Sequence, residues 1–381
     1  WSRALRTCRV VIWAMFATVV TGGVLAAGCY PDSHPAEIKY VLEHSEASFA
    51  IVEDQEQVDK LLELKPEIPN IKRLVYWDPK GLWNYDDPWL IDFADVLELG
   101  RKYEKEHPGA FEQAVAEIHG DDLCALFYTS GATGMPKAVM VTHKHLLSAA
   151  DTSLKLLPKQ EGDDLFCLAS LAWIPEHFMN LLPAMMTGAV VNFPEEPETV
   201  PKDLREVGYR AGFIGIGAVE AQVSEIQVKI NDAGFLKRLT YNLFMPVGFK
   251  VSDFKAKGKD PNLFWRLLNR VGYWLLFRPL QDTLGYSRVR ALGVGGSALA
   301  PDAFRYFHAI GIALLNSYGL TEITPITSQT VGISKLNVES AGAPAVTAEV
   351  RISTEGEILA RALHTTLGYY KNPEATKQLI G

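Results

Sequence analysis

The chain has 381 residues, 37 basic against 45 acidic, a net charge of −8 and 48% hydrophobic residues. That length suits roughly two to three domains of about 150 residues each, with a sizeable core. The acidic balance excludes a nucleic-acid binder, because phosphate backbones recruit an excess of Lys and Arg, and it points to a small-molecule substrate. The four cysteines, Cys8, Cys29, Cys124 and Cys167, have no C-x-x-C spacing, so reduced core thiols are expected rather than a zinc site or a disulfide framework.

In chain order, the sequence opens at Trp1 and is expected to continue upstream. Residues 10–29 carry no charge, follow Arg3, Arg6 and Arg9, and end Leu-Ala-Ala-Gly-Cys29 like a lipoprotein signal. Thr18, Thr21, Gly22 and Gly23 interrupt that run, and Ala26 sits at the lipobox position that favours Leu. These interruptions argue against a secretory or membrane-spanning segment. Asp32 or Ser33 then caps a helix with Pro35 in its first turn and Ile38, Val41 and Leu42 on one face. Residues 50–52 read as a strand, Val58, Leu61 and Leu62 mark a helix, and 71–77 form another strand. The charged, aromatic stretch 78–106 reads as a long surface connection. Two short apolar runs, 123–127 and 138–141, flank a loop. The rhythm returns as strand 165–168, helix 175–186 closed by Gly188, and strand 189–193. It returns again as strand 289–294, a helix opened by Pro301 and closed by Gly311, and strand 312–315. Such alternation predicts an α/β fold of mainly parallel sheets covered by helices. From residue 343, short β-prone pieces separated by glycine predict the start of a small β-rich subdomain, giving a core over 1–342 and a β-rich piece over 343–381.

The flanked loop, Tyr128-Thr-Ser-Gly-Ala-Thr-Gly-Met-Pro-Lys137, concentrates hydroxyls, glycines and one lysine. Gly131 and Gly134 let backbone approach an anion, Thr129, Ser130 and Thr133 add hydroxyl donors, and Lys137 adds a positive charge. Triphosphate oxygens want that mixture. The spacing Gly131-x-x-Gly134-x-x-Lys137 differs from the P-loop pattern, and Pro136 removes a backbone donor where a P-loop needs one, so a Walker-type NTPase is excluded.

The run resembles the signature loop of the adenylate-forming (AMP-binding) superfamily, with Ala132 departing at one hydroxyl position. Tyr318-Gly-Leu-Thr-Glu322 is similar to that family's Y-G-x-T-E, and Gly295-Gly296-Ser297 resembles its adenine-pocket turn. Gly356-Glu-Ile358 and Gly368-Tyr-Tyr-Lys-Asn-Pro373 resemble its late motifs. Trp173-Ile-Pro-Glu-His177 and Asn192-Phe-Pro-Glu-Glu-Pro-Glu-Thr199 are similar to the bacterial long-chain fatty acyl-CoA synthetase branch. The resemblance covers nearly the whole chain and implies the N-terminal core of an adenylating ligase using ATP, Mg²⁺ and coenzyme A.

By that resemblance, Thr129, Ser130, Gly131, Thr133, Gly134 and Lys137 hold phosphates. Gly295, Gly296, Ser297, Tyr318, Gly319 and Thr321 surround the nucleotide, Glu322 binds Mg²⁺, and Trp173 with Gly295 lines the acyl site. Thr129, Lys137, Thr321 and Glu322 form the expected catalytic set. A ribose-binding aspartate and a C-terminal lid domain with a catalytic lysine, usual in the family, are expected beyond Gly381, so weak ATP binding and poor turnover are expected of this stretch alone. Two departures stand near the acyl site: Ile216-Gly-Ala-Val-Glu220 replaces a P-P-R-x-W-E-like stretch, and Ser170 replaces a proline. A non-catalytic nucleotide- or acyl-binding relative, or an enzyme adenylating another carboxylic acid, stays open beside fatty-acid activation. Residues 262–280, rich in Leu, Trp and Phe with Arg266, Arg270 and Arg278, read either as an interfacial helix or as an insertion packed on its own core. A cytoplasmic protein is expected, with a peripheral contact at the inner face of the membrane under the first of those readings. The sequence sets no oligomeric state.

Overall fold

The computed structural model describes residues 4–27, 29–129, 135–329 and 340–380, with side chains from residue 10 onward. The chain divides into two compact units. One comprises Trp1–His145, Ser170–Ile174 and Thr366–Gly381, and the other Leu146–Ala169 and Pro175–Thr365. Six of the ten strand pairings are parallel and four antiparallel among the described residues, which makes the α/β fold mixed but mainly parallel.

In the first unit, the uncharged run near the start folds as helix Ala4–Val20 and strand Leu25–Ala27, which pairs in parallel with Leu123–Thr129. No described helix is long and apolar enough to cross a membrane. Helix Pro35–His44 buries Ile38, Val41 and Leu42 as its spacing requires. Its cap differs from expectation: His34 Nδ1 accepts the Ala36 N–H at 3.3 Å, while Ser33 Oγ accepts from Tyr30 N–H and closes the preceding turn. Strands Phe49–Val52, Arg73–Tyr76 and Leu90–Asp92 form an all-parallel sheet over a core that includes Val58, Leu61, Leu74 and Trp89.

That third strand corrects the expected surface connection over 78–106. Asp92 ends the strand and accepts the Ala94 N–H at 2.8 Å, so it caps helix Phe93–Glu106. The helix buries only Phe93 and leaves Leu97, Leu99 and Tyr103 exposed, so its apolar residues do not mark a core face.

In the second unit, strands Ala211–Gly215, Ala291–Gly295 and Leu314–Leu320 run parallel, and Ile323–Ser328 and Ala343–Pro344 continue the sheet antiparallel. Helices Ile216–Asn231, Phe235–Ala256 and Pro301–Ala309 contribute Val219, Phe244 and Phe307 to the core around Leu292 and Leu314. The expected helix over 175–186 is continuous but contains a π-turn, His177–Leu181, before Gly188 ends it at φ +76°. Ile216, where the family pattern breaks, opens a helix and is buried. Ala348–Ile352 and Ile358–Ala362 form a hairpin in the β-prone stretch. Cys29, Cys124 and Cys167 form no disulfide: Cys124 and Cys167 are buried, and Cys29 is exposed.

His308 closes the helix Pro301–Ala309, with its Nε2 2.8 Å from the Leu314 carbonyl, so the neutral ring donates there. Burial pushes it down to about 4. The unfolded chain therefore binds this proton first as pH falls, and stability drains away below about 6.5, by about 1.4 kcal/mol per pH unit, until the folded group titrates near 4. Urea unfolding across pH 7 to 4.5 is expected to show a steeper loss for the native chain than for His308→Gln, whose amide keeps the donor without the titration. Parallel profiles for the two would contradict this assignment.

Candidate active site

A strand register closes the loop. Leu123–Thr129 and Lys137–Thr142 run antiparallel, with Thr129 opposite Lys137, Tyr128 opposite Ala138 and Phe127 opposite Val139. Burial of Phe127, Val139 and Val141 fixes that register, because a one-residue slip would turn these side chains to the other face. A hydroxyl and an ammonium thus stand across from each other at the base of the connection. Ser130, Gly131, Ala132, Thr133 and Gly134 lie outside the described residues.

The late motif meets this hairpin directly. Met140 N–H donates to the Gly368 carbonyl at 2.9 Å, Tyr370 N–H to Ala138 at 2.9 Å, and Leu367 N–H to Met140 at 3.3 Å. The Thr366 hydroxyl adds a bond to the Met140 carbonyl at 2.7 Å. Residues 366–370 therefore form a strap along Lys137–Thr142. The strap needs glycine at 368, where φ is +122° and a Cβ would collide with Thr376 Cγ2. It carries the Tyr369 ring to 4.9 Å from Lys137 Nζ, a cation–π contact, and no described carboxylate is paired with that ammonium.

On the other flank, the Tyr40 hydroxyl donates to the Pro136 carbonyl at 2.9 Å, and His44 Nδ1 lies 3.0 Å from Tyr128 Oη. Burial, then the Lys371 ammonium, hold His44 below the usual imidazole range. Burial also pushes the Tyr128 phenol up. On this flank burial thus disfavours the charged form of both groups. In the same unit Trp173 is half-buried, with its N–H donating to the Ser170 carbonyl at 2.9 Å. Ser170 Oγ accepts the Ala172 N–H at 3.2 Å, so its hydroxyl makes the turn that a proline would otherwise shape.

The remaining predicted residues lie in the second unit, at the carboxyl ends of its parallel strands, where open α/β sheets bind ligands. Gly295 ends strand Ala291–Gly295, and a Cβ there would fall 2.7 Å from the Ser317 carbonyl oxygen. Gly296 has φ +107°, and Ser297 stands exposed in the turn that follows. Strand Leu314–Leu320 returns as Ile323–Ser328 with Leu320 opposite Ile323, which leaves Thr321 and Glu322 as a two-residue turn. Gly319 lies at the register shift in this hairpin, and a Cβ on it would approach Thr324 Oγ1 to 2.5 Å. Tyr318, Thr321 and Glu322 are all half-buried. Ser317 Oγ donates to the Val294 carbonyl at 3.1 Å and ties the two strand ends together.

Three residues of interest carry no assigned role in the sequence motifs. Phe213 would touch a Cβ on Gly293 at 3.0 Å and one on Gly295 at 3.3 Å, so its ring covers the strand that ends in the glycine turn. Nothing distinguishes it in sequence from a core phenylalanine. Tyr369 sits in a recognised motif, but its contact with Lys137 is tertiary. Glu176 is buried, accepts the Ala169 N–H at 2.8 Å and an Asn180 amide N–H at 2.6 Å, and is raised above the carboxylate range by burial. A lone acid inside an apolar helix was its available signal.

A family model described as AMP-binding enzyme matches residues 4–370. The chain belongs to the AMP-binding enzyme family. Within it, the chain is 23% identical over 377 residues to the long-chain-fatty-acid–CoA ligase ACSBG2 of Xenopus laevis, covering 95% of this chain and 49% of that one. It is 24% identical over 412 residues to the long-chain-fatty-acid–[acyl-carrier-protein] ligase AEE15 of Arabidopsis thaliana, covering 94% and 55%. The chain thus spans about half the length of these curated relatives. Among solved structures, the anthranilate CoA ligase AuaEII with anthranoyl-AMP superposes with a TM-score of 0.63 at 17% identity, over 96% of this chain and 67% of that one. The AMP-binding fold expected from the motifs is therefore the one adopted.

Gly368→Ala should destabilise the chain by about 1–3 kcal/mol, since it forces a side chain into the left-handed region and against Thr376. Denaturant unfolding measures this. An unchanged midpoint would mean that the strap is not held as described.

Proposed function

We propose that the chain activates a long-chain fatty acid with ATP, forming an acyl-adenylate and then an acyl thioester of coenzyme A. The observation that carries this reading is the Thr129–Lys137 register, which presents at the base of a glycine-rich loop a hydroxyl and an ammonium held over the Tyr369 ring, with no carboxylate partner among the described residues. In the first step a carboxylate oxygen attacks the α-phosphorus, the bond to the bridging oxygen breaks, and pyrophosphate leaves with that electron pair. In the second, the thiolate of coenzyme A attacks the acyl carbonyl and AMP departs. Both steps ask the protein for positioning and charge stabilisation.

Lys137 and Thr129, with Ser130, Gly131, Thr133 and Gly134, hold the departing phosphates. Tyr318 stacks on adenine, Gly295, Gly296 and Ser297 accept its edge, Gly319 keeps the turn narrow, and Thr321 donates to the α-phosphate. Trp173 and Gly295 line the acyl chain. The half-buried Glu322 carboxylate, in the turn between Leu320 and Ile323, is a hard oxygen donor of the kind that holds Mg²⁺ together with substrate phosphates. Glu322 would hold it, and its charge would offset that of the phosphates. The fatty-acid preference draws on the Xenopus and Arabidopsis relatives, whose names differ in the acceptor, coenzyme A or acyl-carrier protein.

Pyrophosphate exchange by the full-length protein, run across a panel of carboxylic acids, tests the reading. Palmitate is expected to drive exchange, and Glu322→Gln to lower it by about a hundredfold or more, with partial recovery at raised Mg²⁺. Exchange with another acid but not palmitate would reassign the substrate, and full activity in Glu322→Gln would remove the metal role.

A further inference from the structure

Two consecutive helices of the second unit, Phe235–Ala256 and Leu263–Gly272, are joined by residues 257–262 and pack on each other so closely that a Cβ on Gly272 would lie 2.8 Å from Phe244 Cδ1. So short a connection makes them antiparallel. Each is apolar on two faces. Inward, Tyr241, Phe244 and Met245 of the first join the core, and Trp265, Leu268 and Leu276 follow from the second and the π-turn Tyr273–Phe277 that extends it. Outward, the first helix exposes Phe235, Leu236, Leu239 and Leu243. The second exposes Leu263, Phe264, Leu267 and Val271, and its extension Trp274 and Leu275. Leu263 is 82% and Trp274 68% accessible. The exposed positions recur at three- and four-residue intervals, so they form a stripe along each helix.

Soluble proteins scatter exposed apolar residues singly, whereas a rimmed apolar face marks an interaction surface. The rim here identifies the partner. Residues 235–280 hold nine Lys and Arg against two Asp, in a chain whose net charge is −8. Lys237, Arg238, Arg266 and Arg270 are exposed on the same two helices as the stripes. A strongly basic surface with an aromatic and leucine face, on an otherwise acidic protein, matches an anionic bilayer: headgroups meet the cations and acyl chains meet the stripes. Neither helix qualifies as a membrane span.

We infer that this helix pair docks the protein on anionic lipid, lying in the interface without crossing it. The inference stands apart from the catalytic reading, since it uses none of the nucleotide residues. Within residues 262–280, Trp265, Leu268 and Leu276 pack on the core while Leu263, Leu267 and Trp274 face outward.

The test is co-sedimentation of the full chain with vesicles of phosphatidylcholine alone or with 30% phosphatidylglycerol. Binding to the anionic vesicles is expected to exceed binding to neutral ones by about tenfold or more and to fall as salt rises. Leu267→Asp/Trp274→Asp and Leu239→Asp/Leu243→Asp should each abolish it, with unchanged circular dichroism and unchanged Mg-ATP affinity. Arg266→Glu/Arg270→Glu should remove the anionic preference. Absence of binding, or equal binding by native and stripe-substituted chains, overturns the proposal. So does a native dimer, by light scattering, that the stripe substitutions convert to monomer, since a second copy would then be the occupant.

Discussion

The proposed chemistry rests on a backbone register. Pairing Thr129 with Lys137 across an antiparallel hairpin fixes where a flexible side chain begins, and the strap over 366–370 then limits where it goes, by laying Tyr369 beneath its ammonium. Lysine is a point charge on a long stem, so an anion site built on it depends on such restraint. The strap in turn depends on Gly368, whose conformation excludes other residues. Two motifs far apart in sequence therefore act as one local device.

The second unit solves its problem by removing side chains. Gly295 and Gly319 sit where backbone or a neighbouring hydroxyl comes too close for a Cβ, and Gly296 sits where φ is positive. The two strand ends can then turn sharply and leave Tyr318, Thr321 and Glu322 half-buried instead of enclosed.

Legibility from sequence followed physical cause. Helix Pro35–His44 and the strands around the loop were readable because apolar spacing alone determines them. Helix Phe93–Glu106 was not, because it buries a single side chain and its start is decided by the Asp92 cap. The site motifs were readable as a family pattern, but the Tyr369–Lys137 contact and the Phe213 ring against Gly295 arise from tertiary packing, which no local spacing encodes. The outward stripes of the basic helix pair were visible as composition only. Their division into inward and outward faces needed the fold.

The most direct measurement is Mg-ATP affinity by calorimetry for the native chain and for Lys137→Ala. A charge-assisted contact of this kind contributes about 1.5–3 kcal/mol, so the substitution is predicted to weaken binding by about ten- to a hundredfold, with unfolding unchanged. Equal affinity in the two proteins would show that the hairpin lysine does not face the nucleotide, and would contradict the account.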